Sequence, residues 1–333
     1  MNKNNSNFQD IKFDVDVYLR DIFNSRDMSL YNMMAYHMGY KDKTGTIISN
    51  ENNQYLHAIS SILVGRIFNV DEKFLYPIAA SLEMFINFIG IHDDLKDGIP
   101  IRNEKDTVWW IWGPAQAINA GDGLHSLARL QISKLSEIGA SNDLVFEALE
   151  KFNSASLKFS ESKYLELEFQ ERIDVQVKEY LQLLNYRGEL FSTAMSLPVL
   201  FSNSPNELIA EISNFGLNLG ILIQITKDIN SFWESTDVDF NFLNKKKTLP
   251  IVYAFKHASN SQKIKLGDIY FKRVLAKEDI VELKIILNEI GVRKFCELDR
   301  EKFRSLVYSK LEKIFDSQES IDSLKGLIDI LLV

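Results

Sequence analysis

The chain has 333 residues, 46% of them hydrophobic and 25% charged, enough to bury a large core and too well balanced for wholesale disorder. Its 15 Gly and 6 Pro are too few for an all-β sandwich or barrel, and a single cysteine, Cys296, rules out a disulfide framework or a Cys-rich zinc site. A net charge of −8 argues against nucleic acid as a partner, because phosphate binding needs a basic surface. In chain order, residues 1–10 are polar and Asn-rich, so they read as a mobile tail without a signal peptide, and a cytoplasmic location is expected. The apolar stretch over 74–91 is interrupted by Glu83 and Asn87 and runs into Asp93 and Asp94, which predicts a buried helix and no membrane insertion. Apolar residues recur at three and four in Ile78, Leu82, Phe85, Ile86 and Ile89, in Leu181, Leu184, Leu190 and Met195, in Leu217, Ile221, Gln224 and Ile225, and in Leu283, Ile286, Leu287 and Ile290. Polar breaks fall at 41–53, 97–107, 202–205, 235–248 and 258–262, none long enough for a domain linker. The expectation is an all-α fold, one domain over 11–333.

Helices that are apolar nearly all round belong at the centre of a bundle, so acidic residues at their ends are unusual. The segment Gly90-Ile-His-Asp-Asp-Leu-Lys-Asp97-Gly98 carries three carboxylates. On a helix Asp93 and Asp97 lie one turn apart, roughly 5–6 Å between Cβ atoms, with Asp94 about 100° round from Asp93. Such a group repels itself unless a cation sits among it, and hard oxygen ligands suit Mg²⁺, which takes further oxygens from phosphates. A solvated acidic helix end is the alternative.

The blocks Met33-Met-Ala-Tyr-His-Met-Gly39, Ala79-Ala-Ser-Leu-Glu83, His92-Asp-Asp-Leu-Lys-Asp-Gly98, Thr107-Val-Trp109, Trp112-Gly-Pro-Ala-Gln-Ala-Ile-Asn-Ala-Gly-Asp-Gly-Leu124 and Lys247-Thr-Leu-Pro-Ile-Val-Tyr-Ala254 occur in this order. As a set, from about Leu30 to about Ala254, they resemble the trans-isoprenyl diphosphate synthase (polyprenyl synthetase) family. The resemblance implies an isoprenoid synthase fold, a single antiparallel bundle around a deep apolar pocket. Two Asp-rich helix ends would face each other and hold two or three Mg²⁺ ions, with Mn²⁺ as a substitute, against a prenyl diphosphate. It also implies a homodimer.

The sequence departs from that family in two places. A Gly-Lys-Arg-x-Arg-Pro block that would hold isopentenyl diphosphate is replaced by Ser49-Asn-Glu-Asn-Asn-Gln-Tyr-Leu56, and of an Arg-Arg pair only Arg102 remains, before Asn103. A diphosphate lacking opposed cations is not compensated for its desolvation, so the second-substrate site is expected to be impaired. The second Asp-rich motif reads Gln224-Ile-Thr-Lys227-Asp228-Ile-Asn230-Ser231-Phe-Trp-Glu234. It half-resembles the metal triad of class I terpene cyclases. Asp228, Ser231 and Glu234 step by three and are expected to hold the remaining metal, while Lys227 either meets diphosphate or pairs with a carboxylate.

By the same resemblance, Arg187, Lys227, Lys247 and Arg102 are expected at the diphosphate, Asp93, Asp94, Asp97, Asp228 and Arg187 in catalysis, and Phe85, Phe88, Ile89, Phe191 and Gln224 along the pocket. Bulky rings just before Asp93 favour a fifteen-carbon chain over a twenty-carbon one, or a folded chain. The expected activity is that of a Mg-dependent class I terpene cyclase, which ionises farnesyl or geranylgeranyl diphosphate to a terpene and diphosphate. The alternatives are a short-chain trans-prenyltransferase and a non-catalytic subunit of a heteromeric synthase.

Overall fold

The computed structural model describes residues 3–48, 53–234, 245–272 and 275–332. The altered block at 49–52 and the stretch 235–244 of the fourth break lie outside the described residues. The fold is all-α, as expected. The chain divides into two compact units, one of Met1–Phe152 with Ala194–Ile209 and one of Asn153–Thr193 with Ala210–Val333.

In the first unit, α1 (Lys3–Asn24) begins inside the stretch expected to be a tail. Phe8, Ile11, Val15, Leu19 and Ile22 recur along one face and are buried, which gives that segment a reason to fold. Then come α2 (Ser29–His37), α3 (Leu56–Ile67), α4 (Glu72–Lys96), α5 (Val108–Trp112) and α6 (Pro114–Ser133). The start of α3 has no cap from its own Tyr55. Instead Glu83, buried on α4, accepts a hydrogen bond from the Ala58 N–H at 2.9 Å, so one core carboxylate satisfies a helix start in another element.

How α4 ends decides where its acids lie. Gly98 adopts φ 64°, its N–H bonds the Leu95 carbonyl at 3.2 Å, and the Ile99 N–H bonds the Asp94 carbonyl at 2.9 Å. This paired closure, with a left-handed glycine, fixes the last turn and stops the helix. The break that follows was read as a loop, yet it contains a two-stranded hairpin, β1 (Ile101–Arg102) and β2 (Lys105–Asp106). Asn103 and Glu104, at φ 51° and 61°, give the double left-handed turn that matches strand twist.

The division between the units falls within α7 (Asn142–Gln170), α8 (Val177–Ser196) and α9 (Asn206–Trp233). In the second unit α8 and α9 meet at glycines, where a Cβ on Gly220 would come 2.8 Å from the Gly188 Cα and one on Gly216 2.5 Å from the Phe191 carbonyl oxygen. That close approach sets Tyr180 and Arg187 beside Gln224 and Asp228. The unit continues through α10 (Leu249–His257), α11 (Asn260–Phe271), α12 (Lys277–Ile290), α13 (Val292–Ile314) and α14 (Gln318–Leu331). Its core joins Leu183, Leu184, Ile225, Ile229, Phe232 and Leu283 among others. Among the described residues two helices, α4 and α9, are long and apolar enough to cross a membrane, but 61% and 56% of their most apolar stretches are buried within the protein.

Candidate active site

Asp93 and Asp94 stand in the last turn of α4 and Asp97 just past its end, where the helix dipole disfavours negative charge. Each has a cationic neighbour. The Lys96 ammonium lies 3.2 Å from Asp93 and 3.5 Å from Asp97. The Arg102 Nε donates to Asp94 at 2.5 Å. Asp94 is buried, and desolvation raises its pKa against the opposing pull of Arg102. Asp93 and Asp97 thus already share one cation, and an oxygen pair that holds an ammonium in this way fits a small divalent ion. Among the described residues no three His, Cys, Asp or Glu side chains converge closely enough to cage a metal on their own. An ion held here would therefore complete its shell with water and phosphate oxygens.

Beside Asp94 opens a cavity of about 470 Å³ whose lining includes Tyr36, His37, Asn53, Arg102, Lys105 and Asp106. Lys105 was not singled out from the sequence. In the hairpin it is the direct partner of Arg102, so two cations face each other across the strands. Like charges opposite one another destabilise a strand pair unless something negative lies near. Lys105 donates to the Tyr36 carbonyl, stacks 3.9 Å from the centre of the Tyr36 ring, and has no ion pair among the described residues. Burial lowers its pKa to about 8. Burial, then Lys105 and Arg102, push His37 down to about 3, so the imidazole stays neutral. The signal for Lys105 was its place across an Asn-led turn from Arg102, which is faint because Glu rather than Gly follows the Asn.

The expected pocket residues ahead of Asp93 form an aromatic cluster. Phe85 packs edge-on to Phe152 at 5.4 Å, and Phe88 lies flat on His125 at 4.9 Å and 13°. His125 Nε2 is buried with no hydrogen-bond partner. Ile89 is half-buried on the same helix.

In the second unit each residue of the expected metal triad has a protein partner. Asp228 is 3% exposed, and both of its oxygens are engaged. Oδ2 accepts from the Tyr180 hydroxyl at 2.5 Å and from the Leu249 N–H at 3.0 Å, and Oδ1 accepts from Gln224 at 2.9 Å. Asp228 therefore caps the start of α10. Ser231 Oγ donates to the Asp228 carbonyl at 3.1 Å, and Glu234 pairs with Arg293 at 2.8 Å. The i, i+3 spacing is real, and in this structure each member engages its own protein partner.

Arg187 pairs with Glu166 at 2.7 Å, a partner not anticipated; burial opposes its charge, but Glu166 outweighs this and the guanidinium stays firmly protonated. The two border a small cavity of about 40 Å³, together with Asp228, Lys246, Lys247 and Thr248. Lys247 is buried, sits 4.2 Å over the Tyr270 ring, and is pushed down to about 8 by burial and then by Lys245. Phe191 is buried where α8 meets α9. Of the expected diphosphate contacts, Arg187 and Lys247 are thus brought together, and Lys227 lies on another cavity of the same unit.

The sequence profile described as polyprenyl synthetase matches residues 48–287. The geranylgeranyl diphosphate synthase of Saccharolobus solfataricus is 23% identical over 307 residues, covering 90% of this chain and 92% of that one. The geranylfarnesyl diphosphate synthase of Aeropyrum pernix is 31% identical over 196 residues, 57% of this chain and 62% of that one. The crystal structure of a polyprenyl synthetase from Streptomyces coelicolor A3(2) superposes with a TM-score of 0.87 at 22% identity, covering 98% of each chain. With the profile spanning well over half of the sequence and the fold shared end to end, this chain belongs to the polyprenyl synthetase family.

Proposed function

We propose that the protein is a short-chain trans-prenyl diphosphate synthase, which joins an allylic diphosphate to isopentenyl diphosphate. One observation carries the reading: Arg102 and Lys105 stand side by side over a polar cavity next to the acidic end of α4, supplying cations that the missing basic block would otherwise have provided. The names of the relatives support it, since those described above are prenyl diphosphate synthases. In the reaction the allylic carbon–oxygen bond breaks and diphosphate leaves. The double bond of isopentenyl diphosphate attacks the allylic carbon, and a proton is lost from the new product. Asp93 and Asp97 would hold Mg²⁺, which neutralises charge on a diphosphate. Arg187 and Lys247 bind and orient phosphate oxygens, where fixed cations act most strongly once water is excluded. Neutral His37 offers an imidazole N–H to the second diphosphate.

The same cavity sets the expected quality of that second site. Asp94 and Asp106 line it too, so its formal charge is even, and isopentenyl diphosphate is expected to bind weakly. Because the Lys105 charge is lost as pH rises through about 8, the KM for isopentenyl diphosphate rises over that range. Lys105→Ala raises this KM by about tenfold, the value of one charge-assisted hydrogen bond, and abolishes its rise through pH 8. The decisive assay combines labelled isopentenyl diphosphate, Mg²⁺ and dimethylallyl, geranyl or farnesyl diphosphate. A longer labelled diphosphate upholds the reading. A hydrocarbon or alcohol formed equally well without isopentenyl diphosphate establishes the terpene cyclase reading instead, which is favoured by Lys227 standing where the second motif would carry a carboxylate.

A further inference from the structure

Helix α1 takes no part in the reaction above, yet two of its side chains are tied to the wall of the cavity beside Asp94. Asp16 and Arg20, four apart on one face of α1, pair at 2.5 Å. Arg20 lies 4.5 Å over the Tyr40 ring and also donates to the Ile48 carbonyl at 2.9 Å. Asp16 accepts from the Tyr55 hydroxyl at 2.5 Å. Burial, and next the bond to Asp16, push the Tyr55 pKa up, so its single proton stays in place and is given to Asp16. The Tyr55 oxygen is then left to accept, from the Tyr40 hydroxyl at 2.8 Å and from the Asn53 Nδ2 at 2.8 Å. The Asn53 Nδ2 also donates to the Met38 carbonyl at 2.8 Å, so both of its hydrogens are used. Tyr55 is 5% exposed and has a φ of 49°, in the left-handed region that a bulky residue rarely adopts.

Ile48 and Asn53 both line that cavity, and they are the described residues on either side of 49–52. We infer that Asp16 and Arg20 are positioning residues for the cavity: through the Tyr55 hydroxyl and the Ile48 carbonyl they hold Asn53 and Ile48 where the second diphosphate is received. That the ligand is isopentenyl diphosphate rests on the function proposed above; the anchoring itself does not. The formal charge of the lining is even, so recognition there leans on a wall that stays in place. A shift of about 1 Å in such a wall costs more than the hydrogen bond that prevented it. Arg20 suits the task because its planar fork meets a carboxylate and a carbonyl together, which a lysine on its flexible stem holds less firmly. A left-handed Tyr55 persists only where surrounding bonds fix it, and the bonds that fix it here come from α1 and Tyr40.

Steady-state kinetics of the full chain with labelled isopentenyl diphosphate, Mg²⁺ and geranyl diphosphate test the inference. Tyr55→Phe keeps the ring and removes the hydroxyl; Arg20→Met keeps the stem and removes the fork. Each is expected to raise the KM for isopentenyl diphosphate at least about fivefold, with kcat and the KM for geranyl diphosphate kept, and Arg20→Lys falls between Arg20→Met and wild type. The control is Tyr76→Phe, which deletes another tie to α1, the Tyr76 hydroxyl bonding Asp14 at 3.0 Å. Thermal unfolding checks that each variant is folded, and should Tyr55→Phe fail to fold, the Arg20 variants decide. An unmoved KM for isopentenyl diphosphate, or an equal rise in Tyr76→Phe, overturns the positioning role while the reaction stands. If wild type incorporates no isopentenyl diphosphate, the reaction falls and amide hydrogen exchange decides the anchoring. The Ile48 N–H bonds the Tyr40 carbonyl at 3.0 Å and the Ile59 N–H bonds the Tyr55 carbonyl at 2.8 Å. Faster exchange at both in Tyr55→Phe or Arg20→Met, and not in Tyr76→Phe, upholds the anchoring, and exchange unchanged from wild type overturns it.

Discussion

Glu83 shows how much one buried side chain can do. It lies 5% exposed on α4, holds the start of α3 through the Ala58 N–H, and burial lifts its pKa from 4.5 to about 7 against the pull of the backbone donors at Ala58 and His57. Between these values the folded protein keeps the proton and the unfolded chain has lost it. Stability from this group is therefore full below pH 4.5 and declines as pH rises to about 7. Urea denaturation across that range is expected to show the decline, and Glu83→Gln, which keeps an acceptor for Ala58, is expected to flatten it. Asp228 does the same structural work for α10, accepting from the Leu249 N–H. Nothing local in the sequence announces this, because the groups that engage it include Tyr180, 48 residues upstream, and Leu249, 21 residues downstream.

At the level of elements, the crossing of α8 and α9 depends on the absence of side chains. A methyl on Gly216 would meet the Phe191 carbonyl oxygen at 2.5 Å and the Ser192 Cα at 2.9 Å, both backbone atoms that cannot swing away. Gly216→Ala gains about 1 kcal/mol of helix propensity, and overpacking of about 1–3 kcal/mol outweighs it. Equilibrium denaturation is expected to show a net loss of up to about 2 kcal/mol, and loss of the contact between Tyr180 and Asp228 should follow in strained variants. The hairpin makes the opposite point. Its two strands are too short to carry a periodic signal, and an Asn-Glu turn is a weak cue for paired left-handed residues. The opposed cations it creates were consequently invisible until the chain was seen folded.

On the scale of the whole protein, most of the architecture was legible because long helices write their period into many residues. Ile78, Leu82 and Phe85, and later Leu283, Ile286 and Leu287, are buried as their spacing predicts. The acidic end of α4 was equally legible, since adjacent residues made it. What escaped were features assembled from distant parts: α1 reaching back to Lys3, the engagement of Arg187 with Glu166, and the saturation of Asp228. Because no described set of three acidic or imidazole ligands braces the fold, chelation is expected to act on chemistry alone. EDTA should abolish turnover, while the melting temperature and far-ultraviolet circular dichroism stay unchanged.

The aspartate that anchors α10 carries a lesson about descent. A lineage whose chemistry drifted, or ceased, would still be selected to retain Asp228, since discarding it would leave a phenol and a helix start stranded in the interior. Its survival in any relative thus testifies to architecture, and ancestry of the reaction is better traced through Asp93 and Asp97, which share the Lys96 ammonium.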